Sequence, residues 1–252
     1  MMPPWIALTG MLPALALMTL VDLADAKRPE PHWQVRKLAL LGALAVVPVF
    51  FLQTFLARFV TLTGVGSAFF DGFVSAALLE EGAKALVLWF GVWRHPAFDE
   101  RLDGIVYATR AGLGFALVEN VLALSNTDST FGFVGTFVLR AFFAVPVHAI
   151  AAGFIGDFAA RRRFDGTGPG LAGGLGIAVL LHGLYDTALS LEQVSTLSFE
   201  LKGALALVPL LIVGVGFFVL RARATEALRR DDADHAHPGR RAQHAEAGYV
   251  LR

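Results

Sequence analysis

The chain has 252 residues, 56% of them hydrophobic and 17% charged, with 21 basic side chains balanced by 21 acidic ones and no cysteine, and its mean hydropathy is +0.61. A soluble domain of this length cannot bury so much apolar surface, which excludes a water-soluble globule and leaves an integral membrane protein with the lipid bilayer as its solvent. The lack of cysteine excludes disulfides, thiol catalysis and Cys-ligated metal, narrowing the chemistry to carboxylate, imidazole and hydroxyl groups.

Seven stretches are long enough to cross a bilayer, which takes roughly 20 apolar residues: 4–21, 38–57, 66–93, 105–124, 131–158, 170–191 and 201–220. They are continuous apolar runs, not the short alternating segments of a barrel, so the predicted fold is an all-α polytopic membrane protein. A membrane domain over residues 1–220 and a tail over 221–252 follow from the change of composition after Leu220.

The first stretch has no Lys or Arg before it, and Ala24, Asp25 and Ala26 after it resemble a signal-peptide cleavage site. Cleavage there would leave a strongly basic segment outside, so an uncleaved first helix is expected. Basic residues then alternate from loop to loop. Lys27, Arg28, Arg36 and Lys37 mark the first loop, Arg94 and Arg101 the third, Arg161, Arg162 and Arg163 the fifth, and Arg221, Arg223, Arg229 and Arg230 the tail. The intervening loops hold only Arg58 and Lys202. The positive-inside rule therefore places the N-terminus outside and the C-terminus in the cytoplasm.

The third stretch carries Glu80, Glu81 and Lys84 at separations that bring side chains onto one helix face. Charges in hydrocarbon are read as a working site by default. Two adjacent carboxylates cannot both ionise cheaply there, so one is expected to hold a proton while the other stays anionic beside Lys84, giving one acid and one base. The alternative is an ion pair that merely packs helices. Asp99, Glu100, Arg101 and Asp103, with Arg94, read as a polar loop.

The fourth stretch presents Gly112, Gly114 and Ala116, small residues that permit close helix approach, followed by Glu119 and Asn120. Phe115 lies one turn before Glu119, where it would wall the site off from lipid or simply pack. Arg110 in this stretch and Arg140 in the fifth read as counter-ions, Arg140 within reach of the same interior. In the fifth, Pro146 leaves a backbone carbonyl unpaired near His148, and imidazole suits proton transfer near neutrality. The sixth places His182 and Asp186 four residues apart on one face, so the carboxylate can steer the ring.

Four segments with acid or imidazole groups point to one buried polar centre. Such a set could bind a divalent metal or activate water directly. The spacing leaves that open because no H-E-x-x-H motif occurs. A stoichiometric metal is not expected, although Glu/His sites can recruit zinc. The tail histidines His235, His237 and His244 match no compact ligand spacing and read as solvated, in a short helical extension followed by disorder.

Glu80-Glu81-Gly82-Ala83-Lys84, then Leu102-Asp103-Gly104 leading into Gly112 to Asn120, then His148, then His182-Gly183-Leu184-Tyr185-Asp186, resemble the ordered motifs of the PrsW family of intramembrane proteases. The resemblance spans residues 66–190, the third to sixth of the seven segments. It implies a cell-membrane peptidase that hydrolyses a peptide bond with a water polarised between Glu and His. The catalytic set would be Glu80, Glu81, Glu119, His148, His182 and Asp186, supported by Lys84, Phe115, Asn120 and Arg140. Asn120, Lys84 or a protonated His would steady the anionic intermediate. The layout is similar to that of the type II CAAX prenyl proteases and wider Abi/CPBP proteins, except that Glu119 stands where those enzymes place a His and Asp186 where they often place Asn. A single-pass membrane protein, such as an anti-sigma factor cut at site 1, is the implied substrate; no nucleic acid is expected as a partner. A proton-coupled transporter would also keep such groups in the membrane, but no internal repeat is evident. A non-catalytic scaffold would shed the acid and imidazole groups that this chain retains.

Overall fold

A computed structural model describes residues 4–236, among which there are helices and no strand. The helices are α1 (Pro4–Ala24), α2 (His32–Leu56), α3 (Gly64–Phe69), α4 (Leu79–Gly91), α5 (Arg101–Ser125), α6 (Thr130–Leu139), α7 (Val145–Asp165), α8 (Gly170–Glu192), α9 (Phe199–Leu205) and α10 (Leu207–Ala236). Two π-helical stretches, π1 (Phe70–Leu78) and π2 (Arg140–Ala144), join α3 to α4 and α6 to α7 without a break.

Six helical runs are long and apolar enough to cross a membrane, which makes the chain a polytopic membrane protein. The remaining expected segment is the unbroken run 64–91, set apart by Asp71, Glu80, Glu81 and Lys84 within it.

Helix α5 is the axis of the bundle, with every residue from 101 to 116 buried. It packs backbone to backbone on α2 and α7 because small residues meet there. A Cβ built on Gly156 would lie 1.9 Å from the carbonyl oxygen of Gly104, and one on Gly42 would lie 2.0 Å from that of Ala111. Lipid tails are as apolar as leucine, so close van der Waals approach replaces the hydrophobic effect as the driving force between helices. Large apolar side chains such as Phe51, Phe90, Phe142 and Phe218 are exposed on the outside, as a lipid-facing surface requires.

The residues read as a polar loop at 101–103 are instead the first turn of α5. Glu100 and Asp103 form a reciprocal capping box there, which satisfies helix N-terminal N–H groups that would otherwise lack partners. Asp231 of α10, itself buried, accepts from the backbone N–H groups of Arg101 and Leu102, both at 3.1 Å, and pairs with the Arg101 guanidinium at 2.9 Å. Arg101 also meets Asp165 at 2.7 Å and Asp234 at 2.8 Å. Arg28 pairs with Glu100 at 2.7 Å and Asp232 at 2.8 Å. The loops before α2 and α5, the end of α7 and the extension of α10 thus gather at one end of the bundle. His235 lies 3.2 Å from Glu100, whereas His237, His244 and the rest of the tail lie outside the described residues.

Candidate active site

Glu80, Glu81 and Lys84 come from the first turns of α4, directly after π1. Spacings of three and four residues bring Lys84 Nζ to 2.6 Å from Glu81 Oε1 and 3.9 Å from Glu80 Oε2, with all three side chains buried. Lys84 therefore belongs chiefly to Glu81. His148, in the first turn of α7 just after π2 and Pro146, faces the same point, its Nδ1 2.7 Å from Lys84 Nζ. Its Nε2 is 2.6 Å from Glu119 Oε2 on α5. π-Helical insertions recur at functional sites, and here one lies upstream of Glu80 and the other upstream of His148.

His182 on α8 has a carboxylate at each ring nitrogen: Nδ1 is 2.7 Å from Glu81 Oε1, and Nε2 is 3.1 Å from Asp186 Oδ2. The two imidazole rings meet edge to face, centroids 4.9 Å apart. The ring of Phe115, fully buried and packed with Val46 and Val49 of α2, lies 4.6 Å from Lys84 Nζ and 5.8 Å from the His148 ring.

Arg140 reaches in from π2, its Nη2 3.0 Å from Glu119 Oε2 and its Nε donating to Asn120 Oδ1 at 2.8 Å. Asn120 Nδ2 donates to the Gly10 carbonyl of α1 at 2.6 Å. The Asn120 amide is thus engaged with α1 and Arg140 and with neither imidazole. Arg110 is likewise tied to α1, donating to the carbonyl of Met18 at 3.2 Å and pairing with Asp22. One site neighbour escaped sequence reading: Gln53 of α2, whose Nε2 donates to Glu80 Oε1 at 3.3 Å and to the Ser75 carbonyl at 3.0 Å. The signal was there, a lone amide in an otherwise apolar span.

Glu80, His148 and His182 each offer a ligand atom, all within 4.8 Å of one another. Glu80 Oε2 is buried without a hydrogen-bond partner, 4.0 Å from His148 Nδ1 and 3.9 Å from His182 Nε2. Two imidazoles and a carboxylate form a donor set that suits zinc, and the orphaned oxygen is a free ligand, so the residues present fit a divalent cation.

A buried carboxylate and imidazole cluster in a helical membrane bundle is the equipment of a hydrolase that works within the membrane, and comparison with known proteins assigns the chain to that class. The sequence profile of the PrsW family intramembrane metalloproteases matches residues 30–219. The chain is 36% identical to Protease PrsW of Oceanobacillus iheyensis, over 70% of this chain and 79% of that one, and 36% identical to Protease PrsW of Bacillus subtilis, over 72% and 82%. Protease PrsW of Clostridioides difficile is 32% identical, over 73% and 79%. No solved structure matches. The chain belongs to the PrsW family and is an intramembrane protease.

Proposed function

We propose that Glu80 is the general base of this protease and that Glu81 is its positioning partner. The observation that carries the assignment is the contrast between the two carboxylates. Glu81 Oε1 is held by both Lys84 and His182, whereas Glu80 Oε2 has no hydrogen-bond partner and sits about midway between the two rings. A water in that gap would touch Glu80 and both imidazoles. Glu80 takes its proton as the water oxygen bonds to the scissile carbonyl carbon, then returns the proton to the departing amine as the C–N bond breaks. His182, braced by Glu81 and Asp186, and the Lys84 ammonium stand ready to donate to the oxyanion. Glu119 orients His148 from its far side, and Arg140, itself held by Asn120, steadies Glu119. A divalent cation held by Glu80, His148 and His182 would add Lewis acidity at the carbonyl and a more acidic bound water.

The site opens on the side of Glu119 and Asp186. Their side chains are 32% and 28% exposed, against 7% or less for Glu80, Glu81, Lys84, His148 and His182. A membrane-anchored chain enters there. We take its source to be a single-pass protein of the cytoplasmic membrane, such as an anti-sigma factor. A prenylated CAAX tail is disfavoured by Glu119 and Asp186, which depart from the prenyl-protease pattern; kinship with those enzymes and with the Abi/CPBP proteins rests on motif order alone. Residues 1–220 would form the protease domain and 221–252 an appendage on its cytoplasmic end. The test is cleavage of a single-pass membrane protein by purified enzyme in liposomes, with Glu80→Gln as control. Proton flux without cleavage in the wild type would replace the protease with a transporter.

A further inference from the structure

We propose that the Lys84 ammonium occupies the His148 Nδ1 lone pair that a divalent cation held by Glu80, His148 and His182 would need, so that ammonium and metal exclude each other at that atom and Lys84 sets the metal affinity of the site. The proposal rests on the reading of those three residues as a ligand set.

The geometry has three parts. First, Glu80 Oε2 stands 4.0 Å from His148 Nδ1 and 3.9 Å from His182 Nε2, separations about twice a zinc–ligand bond of roughly 2.1 Å. One ion can therefore be reached by all three with small side-chain shifts once His182 Nε2 gives up the proton it directs at Asp186 Oδ2, 3.1 Å away. Second, His148 Nε2 lies 2.6 Å from Glu119 Oε2. A carboxylate only accepts, so Nε2 carries the hydrogen and Nδ1 presents its single lone pair to the interior. That lone pair is already engaged, because Lys84 Nζ lies 2.7 Å away. Nδ1 can accept from the ammonium or bind a metal, not both.

Third, Lys84 has little freedom to stand aside. Its side chain is 1% exposed, its Nζ lies 2.6 Å from Glu81 Oε1 and 3.9 Å from Glu80 Oε2, and the Phe115 ring is 4.6 Å beneath it. Within this pocket the ammonium can retreat toward Glu81 only by releasing His148. A divalent ion arriving at Nδ1 would then sit beside a monovalent cation in low dielectric, where like charges repel strongly. Metal binding is accordingly weakened by Lys84.

The test measures cobalt binding without substrate, by calorimetry and by visible absorption of the bound ion, on the full chain in detergent. Lys84→Met keeps the length of the side chain and removes its charge; it should bind cobalt at least ten-fold more tightly than the wild type, and His148→Ala added to it should reverse the gain. Removing Lys84 leaves buried Glu81 with the His182 ring as its one remaining partner, so a second variant, Glu81→Gln with Lys84→Met, removes both charges together and should show the same gain. Cobalt affinity unchanged or reduced in both variants overturns the proposal. Because no cleavage is measured, this failure is distinct from failure of the protease reading, which loss of proteolysis in Glu80→Gln checks separately.

Discussion

Glu119 Oε2 and His148 Nε2 lie 2.6 Å apart across the α5–α7 contact, so a carboxylate on the central helix decides which face of the imidazole the site receives. Glu119→Gln can still accept from Nε2–H, though as a neutral and weaker partner. The expected loss in kcat is about 10-fold, within the 10–100-fold typical of groups that orient a functional histidine. Glu119→Ala should lose more. Equal activity in Glu119→Ala and the wild type would remove Glu119 from the mechanism.

The two carboxylates of α4 should separate by stability. Glu80→Gln is expected to lose proteolysis by roughly 10² or more while folding normally, since its nearest Lys84 contact is 3.9 Å and Gln53 still has a partner. Glu81→Gln takes away the anion 2.6 Å from buried Lys84 and should destabilise the protein by on the order of 3–5 kcal/mol. Thermal unfolding of the two variants in detergent reads the difference, and matching melting temperatures would contradict it.

On α8, His182→Ala should abolish nearly all cleavage, whereas Asp186→Asn should retain part of it, because an amide oxygen can still accept from the ring. A proton pathway would instead require the titrating carboxylate. Cleavage and proton flux assayed side by side on both variants discriminate the two.

Reporter fusions check orientation. Fusions after Arg163 and Arg230 should report the cytoplasm, and fusions near Asp128 and Ser195 the outside, as the positive-inside rule requires. The ion pairs among Arg28, Glu100, Arg101, Asp165 and Asp232 place four basic-loop regions at one end, so one misplaced reporter among them would contradict the arrangement.

Asp25, in the turn after α1, is buried, which pushes its carboxyl up to about 7, with Glu30, Glu100 and Asp22 adding repulsion against a hydrogen bond from the Glu30 backbone. The folded state then binds the proton more tightly than the unfolded chain does. Stability falls as pH rises from the ordinary aspartate range through 7 and is flat beyond. Asp25→Asn keeps an acceptor for the Glu30 N–H and should raise the melting temperature at pH 8 but not at pH 4. A pH-independent effect would exclude this titration.

The span positions and the acid and imidazole residues were legible because hydrophobic length and intramembrane charge are local signals. Glu81 with Lys84, and His182 with Asp186, follow from helix spacing alone. Other features were not local. The charges at 101–103 read as loop because Asp231, the acceptor that lets them be buried at a helix start, lies 130 residues away from Arg101. Gln53 meets Glu80 across 27 residues, and nothing in the spacing of α2 points to α4. The partners of the Asn120 amide, Gly10 on α1 and Arg140 on π2, are equally remote in sequence or in another segment, and its spacing from Glu119 does not reveal them. The choice between Glu80 and Glu81 likewise depends on what reaches them from α7 and α8.

The π1 stretch immediately upstream of α4 imposes a frame on the chain. Each residue of an ordinary helix advances the side-chain direction by about 100°, and the wider turns of π1 accommodate extra chain without lengthening the run to match. With the wide turns kept, loss of one residue between Phe70 and Leu78 would swing Glu80 and Glu81 away from the two histidines. Substitutions in π1 can be absorbed one at a time, whereas changes in its length cannot. Among homologous chains the distance from Phe70 to Glu81 should therefore be invariant even where its composition drifts.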